Sequence, residues 1–144
     1  MILKIIRIII IVLALHNIGI AGDALDEVNR ERARYGLRLF KRDNNLTLAA
    51  EHCCKYRAKH FISGHCSGNL SDFHFVPEYK SGPRIGQKVY NLGRLAAGCA
   101  AWEQDGPFKN KWGSCCTYDN HTYAGAWWEI GKDGRRYMHL FVRD

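Results

Sequence analysis

The spacing of apolar residues divides the chain into stretches of different character. From Asp23 to Tyr35 the apolar positions Leu25, Val28 and Tyr35 recur at helical spacing, with Asp26, Glu27, Arg30, Glu31 and Arg34 on the wet side. Gly36 is suited to close this predicted helix in the left-handed conformation, and Leu37 and Leu39 lead into a short connection. Asp43-Asn44 caps a second helix, whose stripe of Leu46, Ala49, Ala50, Cys53 and Cys54 falls at spacings of three and four. Most of these side chains are small, so the helix can approach a sheet or another helix closely. Between Ser63 and Gly93 the periodicity fades among glycines, Pro77, Pro83 and scattered aromatics such as Phe73, Phe75 and Tyr79, which predicts loops with one or two short strands. A third helix is expected from Leu92 or Leu95 to Glu103, with Leu95, Gly98, Cys99 and Trp102 on one face and Gly106-Pro107 as its stop. The clearest strand signal lies at the end of the chain. His121 to Ile130 is rich in β-formers, Lys132-Asp133-Gly134 supplies a turn, and from Arg136 to Arg143 Tyr137, His139 and Phe141 alternate with Met138, Leu140 and Val142. This order predicts a single α+β unit with a terminal antiparallel hairpin.

The first 21 residues have a different composition. Lys4 and Arg7 precede the apolar run Ile8 to Leu15, and Gly19 and Ala21 provide small residues for cleavage, so residues 1–21 are expected to be a signal peptide cut after Ala21. A spanning helix needs ~20 apolar residues, and His16 with Asn17 interrupts the run too early for a stable anchor. Residues 22–144 are then one secreted, extracellular domain with one core. The whole-chain charge of +7 falls to +5 without Lys4 and Arg7, a basic balance with no polybasic run. Solubility explains it, as does mild attraction to anionic partners.

An oxidising route makes three disulfides the simplest expectation for the six cysteines Cys53, Cys54, Cys66, Cys99, Cys115 and Cys116. A bridge between adjacent residues is strained, so each member of the two vicinal pairs is expected to reach elsewhere. The pairing is not readable from the sequence. Asn45, Asn69 and Asn120 each open a glycosylation sequon, used only in a eukaryotic host.

The stretch ALDEVNRERARYGLRLFKRDNNLTLAAEHCCKYRAKH, with Asn29, Arg32, Gly36-Leu37, Leu39, Asp43 and Leu46-Thr47-Leu48-Ala49-Ala50, resembles the opening of the CAP superfamily. That group comprises cysteine-rich secretory proteins, antigen 5 and pathogenesis-related proteins, which share the SCP domain. Gly86-Gln87-Lys88, Ala101-Trp102 and Asp105-Gly106-Pro107-Phe108 take the places of the family's middle motifs, and YAGAWWEIGKDGRRYMHLFVR is similar to its closing hairpin. The resemblance implies a three-layer α-β-α sandwich with a central antiparallel sheet, stabilised by disulfides. It also implies a cavity with two histidines and two acidic residues able to hold a divalent cation such as zinc, for which imidazole and carboxylate are natural ligands. His65 stands where the first histidine belongs, Glu78 is the candidate second carboxylate, Gln87 replaces the first carboxylate and Phe108 the second histidine. The metal site is therefore expected to be degenerate, with no cofactor and His65 as the one ligand candidate.

His60, His65, Cys66 and His74 match no standard metal-finger spacing, and Cys66 is expected to be oxidised. A histidine and carboxylate hydrolase site can be drawn from His65 with Glu78, or from His121 and His139 with Glu129. Trp102, Trp112, Trp127 and Trp128 can line a groove or fill the core. Trp127 and Trp128 point to opposite faces of their strand, so one of them is the candidate exposed binding residue. The leading expectation is a non-catalytic, monomeric, secreted binder of a lipid or sterol, a polysaccharide or an extracellular host protein, with no nucleic-acid partner. A secreted nuclease-like or protease-like hydrolase is the alternative, and a disulfide-stabilised, toxin-like module without a pocket is the other.

Overall fold

The first two predicted helices form, the second behind the cap that the sequence places at Asp43. The computed structural model describes residues 19–65, 83, 95–104, 106–117 and 121–144. Residues 1–18 of the expected signal peptide and most of the loop-rich middle lie outside the described residues. Helix α1 spans Leu25–Arg34 and buries Leu25, Val28 and Arg32, with Gly36 at φ 71° just beyond it. Helix α2 spans Asn44–His60. Asp43 caps it by accepting from the backbone N–H of Asn45 at 2.8 Å and of Leu46 at 3.1 Å, worth about 1 kcal/mol. Its second oxygen accepts from Arg143 Nε at 2.8 Å and meets Arg143 Nη2 at 2.7 Å, which ties the start of the helix to the end of the chain. Among the described residues no helix is long and apolar enough to cross a membrane.

The strands are β1 (Ala21–Asp23), β2 (Lys41–Arg42), β3 (Leu95–Glu103), β4 (Tyr123–Ile130) and β5 (Arg136–Arg143). They form one sheet in the order β1-β4-β5-β3, antiparallel along that path, while the two-residue β2 runs parallel to β4. The terminal hairpin has the expected turn, with Gly134 at φ 80°. The expected third helix is strand β3, paired with β5 from Leu95↔Arg143 to Glu103↔Arg136. Its small residues fit helix and strand periods alike, and pairing along the free edge of β5 decides between them.

Strand β5 is buried at every position except Arg143. Met138, Leu140 and Val142 join Ala124 and Ala126 of β4, Leu25 and Val28 of α1, Phe40, Trp112, Cys115 and Cys116 in one core cluster. The alternate residues face α2. There Gly125 is indispensable, because a Cβ at this position would overlap the backbone of Leu46 and Thr47. Ala49, Ala50, Cys53 and Cys54 continue the buried stripe of the helix, and Arg57, also buried, closes its far end. The Arg57 guanidinium donates to the carbonyls of Ile62 (3.2 Å), Ser63 (2.8 Å), Ala101 (3.0 Å) and Met138, joining the helix exit to β3 and β5.

The architecture of the described residues is thus α+β, with two helices, a largely antiparallel sheet and a Cys99–Cys115 disulfide across 16 residues. In the chain-entropy picture a loop of that size contributes about 3 kcal/mol. Cys53 is disulfide-bonded as well. Full use of all six cysteines in bridges does not hold, because Cys54 and Cys116 are free and buried. Cys54 Sγ donates to the Trp127 carbonyl at 3.2 Å on the α2 side, whereas Cys116 packs in the cluster on the opposite face. Sheet backbone separates the two thiols, beyond the ~7 Å Cα separation that a disulfide tolerates. Cys66 lies outside the described residues, as do the sequon residues Asn69 and Asn120; Asn45 is half-buried in the first turn of α2.

Two outcomes follow from this packing. Gly125→Ala is expected to lower stability by ~3 kcal/mol or to abolish folding, since the overlap is with backbone, and chemical denaturation measures the loss. Burial pushes the Cys116 thiol up to about 12 and raises that of Cys54 further. Thiol reagents at pH 8 should therefore leave both unmodified in the folded protein and label both in denaturant without reductant, read by peptide mapping; labelling of either in the folded state would contradict their burial.

Candidate functional site

Two grooves flank the hairpin turn. At that end of the sheet Glu103, Arg136 and Ile130 form the last register row, so the ends of β3, β4 and β5 meet around residues 131–135. Beyond β3 lies a groove of about 320 Å³, lined by Trp102, Glu103, Gln104, Pro107, Lys109 and Lys111. Trp102 is 40% exposed, and the Arg135 guanidinium sits 5.2 Å from its ring centroid, within cation–π range. Beside the exit of α2 a second groove of about 260 Å³ is lined by Ala58, Lys59, Phe61, Ile130, Gly131 and Lys132.

Glu103 shapes the first groove. Its carboxylate accepts from the backbone N–H of Lys109 at 2.9 Å, Asn110 at 3.1 Å and Lys111 at 3.2 Å, which folds the segment back against the end of β3. Asn110 takes φ 57° within this turn, a conformation that asparagine tolerates better than most residues. Arg136 lies 3.5 Å from Glu103 and also pairs with Glu27 of α1, while its guanidinium sits 4.8 Å from the Trp128 ring centroid. A buried cation between two carboxylates therefore links α1, β5 and β3, and through Glu103 it holds the lysine-bearing loop.

The residues singled out from the sequence are distributed differently. His65 is exposed just after α2, and its ring meets that of His139 edge-on with centroids 6.3 Å apart. His139 is fully buried, with Nδ1 3.4 Å from Cys53 Sγ and its ring 4.6 Å from that of Phe141. Glu78, Gln87 and His74 lie outside the described residues. Phe108 is half-buried on the loop between Pro107 and Lys109. The resemblance implies a zinc-holding cavity; among the described residues no three His, Cys, Asp or Glu side chains gather, and Cys53 is oxidised.

Of the two hairpin histidines, His139 stands opposite Trp127, two residues from Glu129 on the same face, while His121 lies at the other end of the hairpin. His121 Nδ1 lies 2.9 Å from Asp144 Oδ1, beyond the open end of the hairpin. Glu129 sits near the turn, and at about 3.3 Å per residue Tyr123 and Glu129 are already ~20 Å apart along β4. Burial raises the pKa of the Glu129 carboxyl.

The four tryptophans do not share a groove either. Trp112 is in the core, Trp128 packs against that core, Trp127 is half-buried on the other face, and Trp102 is the one that stands exposed. Trp102 is one of the four tryptophans that the sequence offers for a groove, but the helical spacing of Leu95–Glu103 hid its place at a sheet end, and nothing local to Glu103 or Arg135 marked them. Treated as a strand ending at Gly106-Pro107, that segment would have placed an aromatic at a sheet end beside Lys109 and Lys111. Neither the family models nor the curated proteins searched match this sequence.

Glu103→Gln keeps the shape of the side chain and removes its charge from three N–H donors and Arg136. The amides of Lys109, Asn110 and Lys111 are expected to exchange hydrogen at least tenfold faster in this variant, measured by hydrogen–deuterium exchange, with β5 unaffected.

Proposed function

We propose that the protein is a secreted, non-catalytic binding domain of CAP type, and that it engages its ligand at the Trp102 groove. The observation that carries this reading is the exposed indole of Trp102 set in a concavity beside Lys109, Lys111 and Arg135. Large exposed aromatics next to convergent polar groups suit recognition, since the ring supplies contact area at low entropic cost and the charges supply orientation. The covering of β5 on both faces, by α2 on one side and by α1 with the Gly113–Thr117 turn on the other, supports the three-layer α-β-α arrangement that the CAP resemblance implies.

The buried polar groups support binding over catalysis. Arg57 is occupied by backbone carbonyls, and His139 is enclosed between Cys53 and Phe141. A general base has to reach substrate directly or through one water. The contact between His65 and His139 is the observation that favours the second reading, a secreted hydrolase in which His65 acts with Glu78.

Calorimetric zinc titration of the secreted protein and of His65→Ala, together with hydrolysis assays on nucleic acid, casein and ester substrates, separates the two readings. The binding reading expects no stoichiometric zinc uptake and no turnover that depends on His65. Zinc bound one to one and lost in His65→Ala, or hydrolysis abolished by that substitution, would overturn it.

A further inference from the structure

Both grooves at the hairpin turn carry cations, and two acids described beside them, Glu103 and Asp133, are already engaged. Glu103 is taken up by three backbone N–H groups and Arg136, and Asp133 accepts from the Tyr137 hydroxyl and lies 3.8 Å from Arg135. Lys109 and Lys111 border one groove, Lys59 and Lys132 the other, and all four are exposed. Among the described residues no carboxylate pairs with any of the four. Lys109 and Lys111 thus share a groove with Trp102, over which Arg135 sits, and Lys59 and Lys132 border the second groove beside the turn.

We infer that this end of the sheet binds a sulfated or uronate-bearing polysaccharide, with a sugar ring laid on Trp102 and its anionic groups on Lys109 and Lys111. This rests on the binding reading above and assigns its ligand class. Charge complementarity selects an anion, because exposed lysines bordering a concavity raise the local concentration of negative groups. The shape selects a polysaccharide over a membrane: a bilayer presents a broad surface that does not enter a groove of about 320 Å³, whereas a sugar chain enters it. That volume is at the lower end of the ~300–1,000 Å³ range of small-ligand sites, so the groove holds a short stretch of the chain. The rest of the polymer is free to pass the turn toward Lys132 and Lys59. Trp102 acts through contact area and the lysines through charge, so the two contributions respond differently to salt.

A size-defined heparin-derived hexasaccharide, titrated calorimetrically at 0.05, 0.15 and 0.3 M NaCl, tests this. The parent protein should bind it with an affinity that falls as salt rises, and should bind the desulfated hexasaccharide, which keeps only its uronate carboxylates, more weakly. Lys109→Ala/Lys111→Ala is expected to weaken binding at least tenfold and to flatten the salt dependence. Trp102→Ala should weaken it at least fivefold with the salt dependence kept. These side chains are exposed, and circular dichroism checks that both variants remain folded. Unchanged binding by both variants overturns the site. No binding of the hexasaccharide, with or without binding of phosphatidylserine vesicles, overturns the ligand class and leaves the non-catalytic reading standing. Cleavage of the hexasaccharide to shorter products would instead overturn the non-catalytic reading while the ligand class held.

Discussion

The absence of a side chain at Gly125 lets α2 rest its first turn directly on β4, and much of the structure depends on that contact. Backbone against backbone is the closest packing available to a helix on a sheet, and here it requires glycine below and small residues above. Ala49, Ala50, Cys53 and Cys54 supply them along the helix. At the far end the approach is held by Arg57, whose guanidinium donates to carbonyls from β3, β5 and the segment after the helix. A buried guanidinium with its N–H groups engaged avoids the desolvation penalty that an unpaired charge would suffer, and it fixes three pieces of backbone at once. Arg32 does the same for the other helix, donating at 2.7 Å to the carbonyls of Arg38 and of Cys116 while it stacks on Phe40.

These clamps bear on how charge is distributed in a basic protein. Arg32, Arg57 and Arg136 are buried and occupied in holding backbone or crossing between elements, so their positive charge is not displayed to a partner. The lysines remain outside. Arginine has the planar fork that satisfies several acceptors at once, whereas lysine is a solvated point charge on a flexible stem, and the division of labour follows from that difference. Counting charge along the chain therefore says little about a partner until the structural arginines are set apart from the displayed lysines.

The start of α2, the left-handed glycine after α1 and the terminal hairpin were legible in the sequence because each is determined locally. Asp43 caps through its own side chain, Gly36 and Gly134 adopt φ values that favour glycine, and the alternation from Arg136 to Arg143 is a period of two. Strand β3 was not legible. Leu-Ala-Ala-Gly-Cys-Ala-Ala-Trp-Glu carries no strong period of its own, and its state is set by β5, some forty residues away in the chain. The full use of six cysteines failed for a related reason: whether Cys54 and Cys116 can meet depends on which side of the sheet each element occupies. Trp127 and Trp128 were correctly assigned to opposite faces, but covering elements leave both half-buried, and exposure passes to Trp102 at the end of the misassigned strand.

The groove was hidden by the same misassignment, and its construction shows why sequence motifs alone would not disclose it. Its floor is the end of β3, its lysine-bearing wall is a loop held by Glu103, and Glu103 is itself held by an arginine of β5 that also pairs with α1. Each contact joins residues from separate parts of the chain, so none leaves a local spacing pattern. The acid at the centre of this arrangement faces inward and is neutralised there, which leaves the outward field to the lysines. A free Glu103 would cancel much of that field; the half-buried Glu103, taken up by three N–H groups and Arg136, positions it. The fold thus spends a carboxylate on geometry and keeps its solvated cations for whatever enters the groove.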